Sequence, residues 1–462
     1  MGVASLTAVA NLLEKGRSPS PGAPGSRTQG RRVGQQTLVF RNRPRIAAAA
    51  AVAGPKEAEG PLGAYWDRTY PDRMLGQRSW ERAERRMCLD AAVLALEKAG
   101  LEPADIDLHL AGDLMNQLTC ASFTAAELDI PYLGLFAACA TWAAALGLGA
   151  LFADAGYASR VLCTTSSHHD TAERQYRFPT ELGNQRPATA QWTATGAAAA
   201  VLVGGDAPLP EGWSRAGAEG TSDRGQPPGG PARRTGRDEP AAPDHGARAA
   251  GGHTGPSPAG ATGNGRTAPS PGAGASRRPV VITHATFGRV IDMGLTDPFD
   301  MGSAMAPAAA DTIRQHLQDT GRRPGDYDLI VTGDLARYGH RLLVELLREQ
   351  GYDAEGVLAD CGIMLYDASQ GVYAGGSGTA CSGMVSAGYL LRRMEQGDLH
   401  RVLLVCTGCL HSTTTYKQGD SLPTVAHAVV LEAGGTDDTA GSAEPVDGRR
   451  SQDGQPGGRD EA

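Results

Sequence analysis

The sequence predicts an α/β protein made of two duplicated halves packed in layers, with disordered tails and a disordered insertion. Three observations carry this prediction. An apolar run closing on Gly-Asp-Leu occurs twice, as "LHLAGDL" (108–114) and "LIVTGDL" (329–335). Each copy is followed by a small-residue segment with a central cysteine, Cys139 or Cys381, and then by an Arg-Val-Leu strand, "RVLCTT" or "RVLLVCT". Each half closes on an alanine-valine strand, "TGAAAAVLV" (195–203) or "TVAHAVVLE" (424–432). Repetition on this scale indicates duplication, and alternating helices and strands build layered α/β folds.

Along the chain, residues 1–36 are rich in Gly, Pro, Ser and Arg and read as a disordered extension. No basic region precedes "MGVASLTAVANLL", so no secretory signal is expected. The first half spans 37–205. In it, "SWERAERRMCLDAAVLALEKAGL" (79–101) has helical periodicity, with Ser79 as its N-cap. Residues 130–153 carry no charge and are long enough to cross a bilayer. Their first part, "PYLGLF", reads as a short strand, leaving a helix near 139–156 that is too short to span. Its alanines and glycines suit close helix packing in a buried core, so no transmembrane helix is expected.

Residues 206–279 contain no Ile, Val, Phe, Met, Tyr or Cys and cannot bury enough apolar surface to offset chain entropy; they read as a disordered insertion. The second half spans 280–433. Its helix "MAPAAADTIRQHLQDTG" (305–321) ends at a glycine and is the counterpart of 79–101. Residues 434–462 form a second low-complexity tail.

Charge is mildly acidic, 43 Lys and Arg against 51 Asp and Glu, and no basic stripe suggests a nucleic-acid partner. The eight cysteines show no disulfide framework. Cys406 and Cys409 form one C-x-x-C without the second pair a zinc site needs, so reduced thiols in an intracellular protein are predicted.

Two α/β halves with a cysteine at the start of a buried helix resemble the thiolase fold of thiolases and ketoacyl synthases. Within that superfamily, "VAGPKEAEGPLGAYWD", "TSSHHDTAERQYRFPTELGNQRPATAQWTATGA", "THATFGRVIDMGLTDPFDMGSAMAPAA" and "AGGSGTACSG" resemble the stage V sporulation protein AD family of spore-forming bacteria. The similarity runs over nearly all of 45–205 and 280–432; the insertion and both tails depart from the pattern. The resemblance implies a protein that binds pyridine-2,6-dicarboxylic acid (dipicolinic acid) and takes part in its uptake into the developing spore. It implies a place in the forespore or spore, peripheral at the inner spore membrane. The implied partners are dipicolinic acid and the other membrane transport proteins of that system, with a homodimer left open and no cofactor.

The site chemistry can be argued from the residues. A cysteine at a helix N-terminus feels the positive end of the dipole, which favours its thiolate. That suits an acyl-transfer nucleophile, and the free N–H groups there equally suit a bound carboxylate. The histidine and asparagine signatures of the acyl-transfer enzymes are missing. Where the histidine loop should stand, the chain reads "TGDLARYGH", with Asp334; where an asparagine would follow, it reads "AGGSGTAC", with Gly375 and Gly376. His340, His411 and His427 do not match the catalytic context. The expectation is therefore binding without catalysis, the alternative being an acyltransferase or condensing enzyme with Cys139 as nucleophile. A scaffold is a third reading.

For a dianion, "HHDTAERQYRFPTELGNQRPATAQW" (168–192) supplies His168, His169, Arg174, Arg177 and Arg186 after a core strand, where ligands of α/β sheets sit. Arginine's planar fork matches a carboxylate. Two histidines are poor ligands for a hard cation such as calcium, so no metal is expected. Asp113, at the end of the first GDL strand, is expected to hydrogen-bond the backbone around Cys139 and shape the pocket.

Overall fold

The computed structural model describes residues 32–176, 186–204 and 278–434. The two tails and the insertion, read above as disordered, fall mainly outside these residues. The described chain starts before the expected boundary at 37, because Arg32–Val33 pairs with Thr37–Val39 and Asp319 accepts the N–H groups of Gln35, Gln36 and Thr37.

Ten strands form the main sheet path. In the first half they are β1 (Arg45–Ala53), β2 (Leu108–Asp113), β3 (Tyr132–Gly134), β4 (Arg160–Ser167) and β5 (Gly196–Val203). In the second they are β6 (Val280–Phe287), β7 (Leu329–Thr332), β8 (Leu358–Asp360), β9 (Arg401–Cys409) and β10 (Thr424–Ala433). Their order is β8-β7-β9-β10-β6-β1-β5-β4-β2-β3. Counting from β1 or from β6, each half thus has its third, second, fourth, fifth and first strands side by side. In both halves the fifth strand runs antiparallel to its neighbours and the second pairs in parallel with the third and fourth. The expectation of two duplicated α/β halves is met, and the halves meet where Val280 and Val281 pair with Ile46 and Arg45.

The long helices begin and end where their sequences dictate. Helix α1 (Trp80–Ala99) is capped by Ser79, whose hydroxyl accepts the Arg82 N–H, and it stops at Gly100 with φ 66°. Helix α2 is Thr119–Leu128, α3 Thr141–Ala155 and α4 His169–Tyr176. Helix α5 (Met301–Thr320) starts on an Asp300 cap and stops at Gly321 with φ 67°. Helix α6 is Ala336–Glu349. Helix α7 begins at Thr379–Met384 and continues through a π turn, Val385–Leu390, to Gln396. The charge-free segment divides as expected into β3 and α3. The stretch Ala138–Ala155 is apolar enough for a bilayer by composition, yet 78% of it is buried within the fold.

Strand β5 shows why the core is so rich in alanine. Side chains alternate across a strand, so Ala197, Ala199, Val201 and Val203 pack with Ala91, Ala92 and Ala95 of α1. Ala198, Ala200 and Leu202 face the other way, into the layer holding α3 and α7. These two inner helices touch both halves: α3 packs on β4 and on β10, and α7 on β5 and β4. The Trp142 indole N–H of α3 donates to Ser386 Oγ of α7 at 2.7 Å, both buried. Approach this close requires glycine at one position, since a Cβ on Gly383 would stand 2.9 Å from Ala198 Cβ and 2.8 Å from Thr165 Cγ2.

The duplication places Cys139 and Cys381 near matching helix starts but not at matching positions. Cys139 lies two residues ahead of α3, whereas Cys381 is the third residue of α7. Positive φ angles just ahead of each helix, Ala138 at 47° and Gly378 at 98°, mark the true correspondence. By that register Thr379 is the counterpart of Cys139 and Cys381 lies two residues further on; the π turn adds the one residue by which Thr379 is farther from Arg401 than Cys139 is from Arg160.

Gly383→Ala should lower the unfolding free energy by about 1–3 kcal/mol through overpacking, outweighing the roughly 1 kcal/mol by which alanine favours a helix. Gly356→Ala, with open space around it, should stay within about 0.5 kcal/mol. Urea denaturation of the two variants checks the difference.

Candidate functional site

A narrow cleft, with a cavity volume of about 30 Å³, opens where the two halves meet, beside Cys139. The first half contributes Leu114 after β2, Ala138 and Cys139 ahead of α3, Ala172 and Tyr176 of α4, and Thr193. The second contributes Met301 at the start of α5, Ser377 and Gly378 ahead of α7, and Cys409 and His411 at the end of β9. Both α3 and α7 thus point their N-terminal ends toward one place. The turn before α3 is held by Thr141, whose hydroxyl donates to Ala138 O at 2.7 Å and accepts the Ala137 N–H at 3.0 Å.

Cys139 is buried, with the carboxylate of Asp334 beside its thiol. Asp334 accepts the Thr407 hydroxyl at 2.7 Å and the Gly378 N–H, from the start of α7, at 3.0 Å. Burial raises the Asp334 pKa to about 7, against the lowering effect of these donors. Burial first, and then the adjacent Asp334 charge, push the Cys139 thiol well above its ordinary range. The thiolate expected from the helix dipole is therefore overturned: Cys139 is a protonated thiol whose partner is an acid.

Asp113 is buried as expected at the end of β2, but it does not reach the backbone around Cys139. Its oxygens accept the N–H groups of Met115 at 2.8 Å and Ala121 at 2.7 Å, which anchors the start of α2. Burial raises its pKa to about 6; the neighbouring buried Glu84, which accepts from Ser166 and Thr171, is raised to about 8 by burial and by the Asp113 charge. The residue that reaches Cys139 is the second-half repeat, Asp334.

The 168–192 segment does form a wall of the cleft, through Ala172, Tyr176 and, beyond it, Thr193. Its described basic residues point elsewhere. His168 accepts the Asp170 N–H on Nδ1 and donates from Nε2 to Arg73 O, and burial lowers its pKa to about 4, so it is neutral. His169 stacks on Trp192 with ring centroids 3.5 Å apart. Arg174 pairs with Glu81 and lines a separate cleft of about 310 Å³ with Asn116, Thr119 and Gln175. Arg186 pairs with Glu173 at 3.2 Å. Arg177 lies outside the described residues. Among the described residues lining the cleft beside Cys139 there is no arginine or lysine.

Sequence reasoning passed over Ser377 and Thr193; it weighed Cys409 only as a zinc ligand and His411 only as a catalytic base. A usable signal existed for His411, which follows the strand "RVLLVCTGC" at the sheet end where ligands collect. Ser377 sits between glycines in "GGSGT", a stretch read for a missing asparagine rather than for the hydroxyl present.

A sequence profile described as stage V sporulation protein AD matches residues 34–210 and 258–432. The stage V sporulation protein AD of Bacillus subtilis (strain 168) is 40% identical over 403 residues, covering 87% of this chain and 98% of that protein. Two solved structures with similar folds are 3-oxoacyl-[acyl-carrier-protein] synthase III of Aquifex aeolicus and a variant of OleA from Xanthomonas campestris. The first has 12% identity and a TM-score of 0.43, covering 84% of this chain and 99% of that one; the second has 14% and 0.46, covering 85% and 99%. The chain belongs to the stage V sporulation protein AD family, and its role lies in sporulation.

Asp334→Asn should shift alkylation of Cys139 by iodoacetamide to lower pH, because the charge opposing the thiolate is gone. Peptide mass spectrometry across pH 6–10 reads it; an unchanged profile would leave burial as the sole cause.

Proposed function

We propose that this member of the stage V sporulation protein AD family binds dipicolinic acid in the cleft beside Cys139 and serves its uptake into the developing spore without catalysing a reaction. The observation that carries this reading is the Cys139–Asp334 pair. A nucleophilic thiol needs a neighbour that takes its proton or stabilises the thiolate. Asp334 does the reverse, since its charge disfavours the thiolate. What remains is a narrow, mostly apolar slot with a few hydrogen-bonding groups between two helix N-termini, whose N–H groups favour an anion. The protein's place in this proposal is peripheral at the inner spore membrane, held by the other transport proteins of the same system.

Calorimetry with dipicolinic acid tests binding, and a thiol-release assay with acyl-CoA on the same preparation tests turnover. We expect saturable binding that Cys139→Ala weakens several-fold, and no repeated release of thiol. Repeated turnover that disappears in Cys139→Ala would establish the acyltransferase reading instead.

A second copy is the proposed partner at the free edge of β3. Leu133 and Phe136 are exposed there, no charged residue lies between Ile130 and Ala153, and edge strands that stay unpaired usually carry charge or a bulge. Sedimentation velocity should show a dimer that Leu133→Lys converts to monomer.

A further inference from the structure

The wall of the cleft opposite the Cys139 turn is a ribbon of two short parallel strands, one from each half. Trp192–Thr193 pairs with Gly376–Ser377, in the register that sets Ser377 beside Thr193. The ribbon is fixed at its ends, where Trp192 N–H donates to Gly375 O and Ala194 N–H to Ser377 O, each at 2.8 Å. Neighbours in register on adjacent strands project to the same face. Thr193 and Ser377 both line the cleft, so two hydroxyls stand side by side there.

Ser377 is the exception among the buried hydroxyls around it. Ser167 donates to Ala194 O at 2.8 Å, Thr407 to Asp334 at 2.7 Å, and Thr165 bonds Thr379 at 2.5 Å. Ser377 is 1% exposed, and its Oγ has no hydrogen-bond partner among the described residues. A buried hydroxyl left unpaired loses its hydration without replacement. A donor held in this way on a cleft wall is completed by a ligand that accepts.

We propose that Ser377 and Thr193 form a carboxylate subsite, each hydroxyl donating to one oxygen of a single carboxylate of a planar aromatic acid. The spacing of adjacent strands, about 4.8 Å, lets two donors converge on the two oxygens of one carboxylate. Leu114, Ala138, Ala172 and Met301 supply the apolar surface that a flat ring covers. With no arginine or lysine among the described lining residues, one carboxylate is met by neutral donors. A second carboxylate would face His411 or the mouth of the cleft. The inference rests on the reading that the cleft holds an aromatic acid, and it assigns recognition to residues outside the 168–192 arginines.

Titration calorimetry of the full chain with dipicolinate, picolinate and benzoate tests it in the wild type, Ser377→Ala, Thr193→Val and the double variant. Each single change should weaken dipicolinate and picolinate alike by roughly two- to ten-fold, the worth of one hydrogen bond. Ser377→Ala should not lower the thermal midpoint, since the hydroxyl has no partner to lose; a structural serine would lower it. Unchanged affinity in the double variant, with dipicolinate still bound by the wild type, overturns the subsite alone. Hydroxyl-dependent binding of benzoate or picolinate without dipicolinate binding supports the subsite and overturns the functional proposal. A wild-type chain that binds none of the three acids overturns both.

Discussion

Close packing of the two inner helices, α3 and α7, against alanine-lined strands is the constraint on which the rest of the structure depends. Each helix serves both halves, so neither can move without disturbing strands of both. Small side chains make this possible, because strand β5 has alanine on both faces and Gly383 lies against Ala198 with no room for a Cβ. The bond from Trp142 to Ser386 ties the helices directly. One consequence is that the two helix N-termini are brought to one cleft. Cys139 precedes one and Ser377 precedes the other, and the fold sets their separation.

Duplication supplied two carboxylates at matching strand ends, and the halves have put them to different uses. Asp113 turns to backbone N–H groups at the start of α2 and acts on the fold. Asp334 turns across the junction, to Gly378 at the start of α7 and to the thiol of Cys139. Both have raised pKa values for the same reason, burial away from water. Asp334 stands where its charge acts on Cys139 itself. The helix-dipole effect on a thiol is worth at most a kcal/mol or two. Desolvation of a fully buried group can exceed that by a wide margin, which is why burial decides the state of Cys139.

Much of the fold was legible because duplication repeats its own signals. The GDL strands, the capped helices ending at Gly100 and Gly321, and the split of the charge-free segment into β3 and α3 all follow from local chemistry. The register between the halves was less legible, since Cys381 lies inside its helix while Cys139 lies ahead of its own, and a π turn adds a residue before β9, so the two cysteine-to-strand spacings nearly agree. The site was legible in its centre and not in its rim. Cys139 and the segment after β4 do line the cleft, whereas Arg174 and Arg186 are taken by Glu81 and Glu173. Ion pairs between residues far apart in sequence leave no local pattern, so an arginine-rich loop reads the same whether its charges face a ligand or an acid.

That difference changes how an anionic ligand can be recognised here. A carboxylate that met arginine would need little else, because the charge itself drives binding. In a cleft whose described lining lacks arginine and lysine, recognition falls to placed neutral donors, helix N–H groups and the shape of the slot. Such donors discriminate strongly, since each unpaired buried hydroxyl penalises a ligand that cannot accept from it. They also avoid holding an anion so tightly by charge that it cannot leave. Under the proposed uptake role, selective and reversible binding is the more useful combination. The Ser377–Thr193 ribbon, built from one strand of each half, exists only when the halves are packed together. Selectivity therefore depends on the same helix packing that assembles the fold.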